Sequence, residues 1–135
     1  MKIVVLDGFT LNPGDNPWDA VASLGQLVVH ERTSSSDIVA RAADAEIVLT
    51  NKTPMSAETI ARLPSLKFIS VLATGFNVVD IKAAAARGIP VSNVPIYGTD
   101  TVAQHVFASL LNLIHRPFEH DQAIRAGQWE RSGDF

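Results

Sequence analysis

The chain has 135 residues, of which 47% are hydrophobic and 19% charged, with a net charge of −3. That is the length of one domain able to bury a core without covalent staples. Its lysines and arginines are scattered, which argues against nucleic acid or an anionic membrane as partner, and the lack of cysteine excludes disulfides, thiolate metal sites and a cysteine nucleophile.

Short apolar runs alternate with helical patterns. Lys2 to Leu6 is a β-branched run closed by Asp7-Gly8 and reads as the first strand. It is too short for a signal peptide. Pro17 to Leu24 reads as a helix, with Asn16 as N-cap and Pro17 at the first helical position. Gln26 to His30 is strand two. Ser36 to Ala43 is a helix capped by Ser35 or Ser36. Glu46 to Thr50 is strand three, and Ser56 to Leu63 a short helix ended before Pro64. Leu66 to Leu72 is strand four. Val79 to Arg87 is an alanine-rich helix stopped by Gly88. Ile89 to Val94 is strand five, and Pro90 within it suggests an edge position.

Asp100 to His115 carries Val102, Ala103, Val106, Phe107, Leu110, Leu111 and Ile114 on one broad helical face. Arg116-Pro117 interrupts the pattern, and a weaker helix runs to about Ala126. Gly127 to Phe135 has no periodicity and reads as an arm or linker. No apolar run reaches membrane-spanning length, so a soluble cytoplasmic protein is the default expectation.

Five strands alternating with helices imply an α/β fold, a mainly parallel sheet with helices on both faces and the strand order 2-1-3-4-5. Ligands of such sheets bind beyond the carboxyl ends of the strands, where the order switches. Three loops converge there: Asp7-Gly8-Phe9, Thr50-Asn51-Lys52 and Ala73-Thr74-Gly75. They offer one cation at Lys52, free N–H groups beside Gly75 and one negative charge at Asp7. A small carboxylate suits that set. Taken singly, Gly75 reads equally as a turn glycine, Lys52 as a solvated loop lysine and Asp7 as a turn cap. Their shared sheet edge favours the functional reading.

The histidines, His30, His105, His115 and His120, form no zinc spacing, and no Ser–His–Asp arrangement or paired carboxylate is defensible. No two glycines are separated by a single residue, so the Gly-x-Gly of a dinucleotide fingerprint and the P-loop are both missing.

Four segments resemble the NAD-dependent D-2-hydroxyacid dehydrogenases, in that family's order. They are Leu49-Thr50-Asn51-Lys52-Thr53-Pro54, the run Val71 to Asp80, the run Ala84 to Pro95, and Thr101-Val102-Ala103-Gln104-His105. The glycerate dehydrogenase (hydroxypyruvate reductase) branch is the most similar, and Gly127-Gln128-Trp129 fits the family's arm. The resemblance implies a flavodoxin-like substrate domain over residues 1–99 and an interdomain helix with a dimerisation arm over 100–135. The family's Rossmann domain would be absent, as in an N-terminal fragment. It further implies backbone amides of Thr74 and Gly75 on the substrate carboxylate, with Ala73 beside them and Lys52 lining the pocket. Val102 would face the cofactor cleft. Gln104 stands where many members have Glu, so no role carries over to it. The family's catalytic Arg, Glu and His match nothing here.

The implied chemistry is hydride transfer between NAD(H) and a small 2-hydroxyacid or 2-oxoacid such as glycerate or hydroxypyruvate. The chain alone is expected to be inactive, to bind no cofactor and to form a homodimer through helix 100–115 and the arm. The alternative is a non-catalytic, self-associating flavodoxin-like binding module. A phospho-receiver would need clustered acids after strand one, and a flavin protein a polar phosphate loop there. Asp7-Gly8-Phe9-Thr10-Leu11 offers neither.

Overall fold

A computed structural model describes residues 1–133. It divides into two compact units, one spanning Met1–Pro95 and one beginning at Ile96. The first holds five strands, β1 (Lys2–Val5), β2 (Gln26–Val29), β3 (Ile47–Thr50), β4 (Phe68–Val71) and β5 (Val91–Ser92). All pair in parallel, in the order β2-β1-β3-β4-β5. The central strands β1 and β3 are buried along almost their whole length, because both sheet faces are covered there. That is why they read as unbroken apolar runs rather than alternating ones.

The two faces are covered unequally. On one, Val4, Leu6, Val48, Ile69 and Val71 pack with Ile38 and Ala42 of α2 (Ile38–Ala42), Ile60 of α3 (Ala57–Ala61) and Ala84 of α4 (Ile81–Ala86). Each buried aliphatic side chain there contributes about 1.5–3 kcal/mol. On the other, Ile3, Val5 and Leu49 are covered chiefly by Trp18 and by Val21 of α1 (Asp19–Ala22). Pro90 lies just before the edge strand β5. It has no N–H to donate, and its carbonyl accepts from Ile69 N at 3.1 Å.

Two expected caps are not formed. Helix α1 starts at Asp19 after Trp18, with no side-chain cap, rather than at Pro17 behind Asn16. Asn12 takes over that segment, its Oδ1 accepting from the amides of Gly14 and Asn16, each at 3.0 Å, in a side-chain-organised loop. Helix α2 starts at Ile38, and neither Ser35 nor Ser36 caps it. The Ser36 hydroxyl lies 2.8 Å from that of Ser34 instead. The other caps form as their residues dictate. Ser56 accepts from Thr59 N and Asp80 from Ala83 N, while Gly88 follows α4 in the left-handed region with φ 66°.

The second unit is helical: α5 (Thr99–His115), α6 (Pro117–Arg125) and α7 (Gln128–Arg131). Arg116, with φ 45°, makes the left-handed corner before Pro117. The short helix α7 corrects the expectation of an arm without periodicity. Gly127, with φ 71°, starts it, and Arg131 donates to the Ala126 carbonyl at 2.5 Å. Asp134 and Phe135 of the expected arm lie outside the described residues. No residue of α5, α6 or α7 is buried. Among the described residues no helix is long and apolar enough to cross a membrane.

His30 follows β2, and its imidazole is held below its ordinary pKa by burial first, then by the positive charges of Arg41 and Lys2. The neutral form is favoured in the fold. Its contribution is complete above the unfolded value of about 6.5 and is lost as pH falls through the lower folded value. Urea unfolding should show stability dropping as pH falls from about 6.5 toward that lower value, with a shallower drop in His30→Gln. An equal slope in both proteins would contradict this.

Candidate functional site

The strand order places the end of β1 beside the end of β3, and the end of β3 beside that of β4. Asp7 leaves β1 and is only 3% exposed. Its carboxylate accepts from the amides of Asn51 at 2.9 and 3.1 Å, Lys52 at 2.5 Å and Thr53 at 2.7 Å. Three successive amides curling around one anion form a nest. Here the anion is the protein's own side chain. Asp7 therefore caps the loop after β3, the turn-cap alternative read from the sequence, and its oxygens are engaged by those amides. Thr10 Oγ1 donates to the Asp7 carbonyl at 2.8 Å and accepts from Asn51 Nδ2 at 3.0 Å. Thr50 Oγ1 closes the same loop by donating to the Thr53 carbonyl at 2.8 Å.

The loop after β4 is built the opposite way. Its carbonyls and the threonine hydroxyl are tied down. Ala73 O accepts from Val94 N at 3.1 Å, Thr74 Oγ1 donates to Val94 O at 3.0 Å, and Asn93 Nδ2 donates to Thr74 O at 2.8 Å. Further on, Met55 N donates to Val78 O at 2.7 Å and Asp80 N to Met55 O at 2.9 Å. The backbone amides of Thr74, Gly75 and Phe76 donate to no acceptor among the described residues, and all three residues are exposed. A turn held on both sides with its N–H groups directed to no partner is ready to bind a small anion.

Lys52 is exposed and forms no ion pair among the described residues. It sits one strand from the β4 turn, where Leu72 N donates to Thr50 O at 2.8 Å. The cavity it lines lies on the other side, with Asp7, Thr10, Arg32 and Thr53, and does not include Ala73, Thr74 or Gly75. Lys52 and the turn thus share an edge but not that cavity. Sequence reasoning missed Arg32 and Thr53. The three loops read from the sequence do not include the one after β2, although every parallel strand ends at this edge. Arg32 holds its guanidinium 4.8 Å from the centre of the Phe9 ring. Val102 lies on α5 in the second unit and is 64% exposed. No cluster of metal-ligating side chains occurs among the described residues.

The sequence model of the D-isomer specific 2-hydroxyacid dehydrogenase catalytic domain matches residues 4–117. The chain belongs to that family. It is 48% identical over its whole length to a hydroxypyruvate reductase of Blautia hydrogenotrophica, and spans 43% of that protein. It is 42% identical to a glycerate dehydrogenase of Methylorubrum extorquens over 73% of this chain and 32% of the relative. A solved structure from Polaromonas sp. JS6 66, named as a D-isomer specific 2-hydroxyacid dehydrogenase, NAD-binding, superposes with a TM-score of 0.75. It is 30% identical and covers 98% of this chain and 42% of its own. The chain thus spans less than half the length of these proteins.

Replacing Asp7 by Ala leaves three backbone amides without their acceptor. The variant should lose at least about 2 kcal/mol in urea unfolding, since each buried unpaired donor costs about 1–3 kcal/mol. Asp7→Asn, which keeps one acceptor oxygen, should lose less. An unchanged midpoint in Asp7→Ala would sink the capping role.

Proposed function

We propose that residues 1–135 form the substrate-carboxylate side of a D-2-hydroxyacid dehydrogenase active site. The favoured substrates are small, such as glycerate and hydroxypyruvate, with NAD(H) as the hydride partner of the whole enzyme. One observation carries this reading: the unpartnered amides of Thr74 and Gly75, in a turn pinned by Asn93 and Val94 at the carboxyl end of β4. Two such donors fix the orientation of a carboxylate and so the presented face of C2, which is a positioning effect. Ala73 supplies the wall behind them, being 7% exposed, and Lys52 adds a point charge one strand away. The names of the relatives supply the substrate and cofactor class.

The dinucleotide itself does not fit within these residues. There is no Gly-x-Gly spacing to cradle its phosphates. Val102 is assigned to the wall of the cofactor cleft by resemblance alone. A polypeptide of these 135 residues should therefore bind small carboxylates without turning them over. The second reading, a self-associating module without catalysis, is favoured by α5 to α7. There Val106, Phe107, Leu110, Leu111, Ile114 and Trp129 are all between 49 and 65% exposed. Apolar surface of that extent favours a partner, and a second copy through α5 and the arm is the proposed one.

Substitution of Gly75 by Ala separates binding from folding. An added Cβ meets only Asn77 Oδ1, at 3.4 Å, so the unfolding midpoint should barely move. The methyl group would crowd an incoming carboxylate, and calorimetric affinity for D-glycerate should fall about tenfold, roughly 1.4 kcal/mol. Undiminished affinity would contradict the carboxylate assignment. The 135-residue polypeptide should show no NADH oxidation with hydroxypyruvate, and robust turnover would refute its incompetence alone. Light scattering should give twice the monomer mass, reduced to monomer by Leu110→Glu. A monomer in the unsubstituted chain would reject the dimer.

A further inference from the structure

We propose that Asn93 is a positioning residue for the β4 turn: through the Thr74 carbonyl its side chain aims the Gly75 N–H, while the Val94 backbone aims the Thr74 N–H. This role rests on the proposed carboxylate site and adds the residues that set the direction of its two donors.

The donors belong to successive peptide groups. The Thr74 N–H shares a peptide plane with the Ala73 carbonyl, and the Gly75 N–H shares one with the Thr74 carbonyl. Neither peptide is cis, so in each plane the N–H points away from the C=O. Holding a carbonyl therefore fixes the direction of the N–H across from it. Both carbonyls are held from the segment that follows β5. Val94 N donates to Ala73 O at 3.1 Å, and Asn93 Nδ2 donates to Thr74 O at 2.8 Å. The Gly75 carbonyl, which shares its plane with the Phe76 N–H, accepts no hydrogen bond among the described residues. The Phe76 amide is thus free but not aimed, and the turn presents two directed donors to the two oxygens of a carboxylate.

The segment that does the holding is itself anchored. Ser92 pairs in register with Ser70, and Ser92 Oγ donates to Ser70 Oγ at 3.0 Å. Pro95 biases Val94 toward extended backbone, in which the N–H and C=O of one residue face the same side. Both engage the turn, the Val94 carbonyl accepting from Thr74 Oγ1 at 3.0 Å. The two grips differ in kind. Val94 acts through its backbone, so any residue but proline supplies that donor. Asn93 acts through its side-chain amide, whose nitrogen is the end able to donate to a carbonyl. The peptide that Asn93 holds is also the one freer to turn over, because Gly75 on its C-terminal side tolerates positive φ. A hydrogen bond at the carbonyl further polarises that peptide and strengthens its N–H as a donor.

The test is amide hydrogen exchange of the 135-residue chain with saturating D-glycerate, read beside calorimetric affinity, in Asn93→Leu, which is close in shape and has no donor. Affinity should fall about fivefold. D-Glycerate should slow Thr74 as in the unsubstituted chain and Gly75 much less, while the unfolding midpoint moves little, since the Asn93–Thr74 bond is exposed. Asn93→Asp keeps the shape and has no donor at neutral pH. It should show the same split, and it carries the test if Asn93→Leu does not fold. Full slowing of both amides in the variants overturns the role of Asn93 and leaves the carboxylate site standing. Equal loss at Thr74 and Gly75 also overturns it, because Asn93 would then support the turn without aiming one amide. If D-glycerate slows neither amide in the unsubstituted chain, the carboxylate site itself fails and the role of Asn93 falls with it.

Discussion

The Asp7 carboxylate in the nest of Asn51, Lys52 and Thr53 amides is the contact on which the ligand edge depends. A parallel sheet leaves a loop at every strand end, and unpaired buried amides there would each destabilise the fold. In the order β2-β1-β3-β4-β5, β1 and β3 are neighbours although their loops diverge to different helices. One buried acid on the first loop meets three donors on the second. The charge is stabilised by dipoles rather than by a counterion, and Lys52 and Arg32 have no acidic partner among the described residues.

The next loop along the edge follows the same rule in reverse. At the end of β4 the acceptors and the Thr74 hydroxyl are tied to Asn93 and Val94, and the donors are left over. Neighbouring loops therefore differ in what they offer: the β3 loop is saturated with an internal anion, and the β4 turn lacks one. The difference arises because a side chain reaches one loop and not the other. It leaves free backbone donors at the β4 turn, where the substrate carboxylate is proposed to be held.

The sheet was largely legible from the chain. Lys2–Val5, Ile47–Thr50 and Phe68–Val71 are apolar and β-branched, and periodicity places such runs in a buried parallel sheet. Pro90 correctly marked β5 as an edge strand. What failed was local competition. Asn12 gathers the amides of Gly14 and Asn16 into a loop, so Asn16 does not cap a helix, and Ser36 bonds Ser34 rather than a helix. Neither choice leaves a trace in hydrophobic spacing. The helical turn Gln128–Arg131 was missed because four residues are too few to show a period. At the site, Asp7 reads from the sequence either as a charge at the ligand edge or as a turn cap, and the fold makes it the cap. Arg32 carries no motif, Thr53 is only a member of the Leu49–Pro54 segment, and only the folded edge brings them to one cavity.

The central claim is that donors are committed at the β3 loop and free at the β4 turn. Amide hydrogen exchange of the 135-residue chain, with and without saturating D-glycerate, tests it most directly. Asn51, Lys52 and Thr53 should be protected in both conditions. Thr74 and Gly75 should exchange near the unprotected rate alone and slow when the ligand is added. Fast exchange at Asn51–Thr53 without ligand, or no slowing at Thr74 and Gly75 with it, would contradict the account.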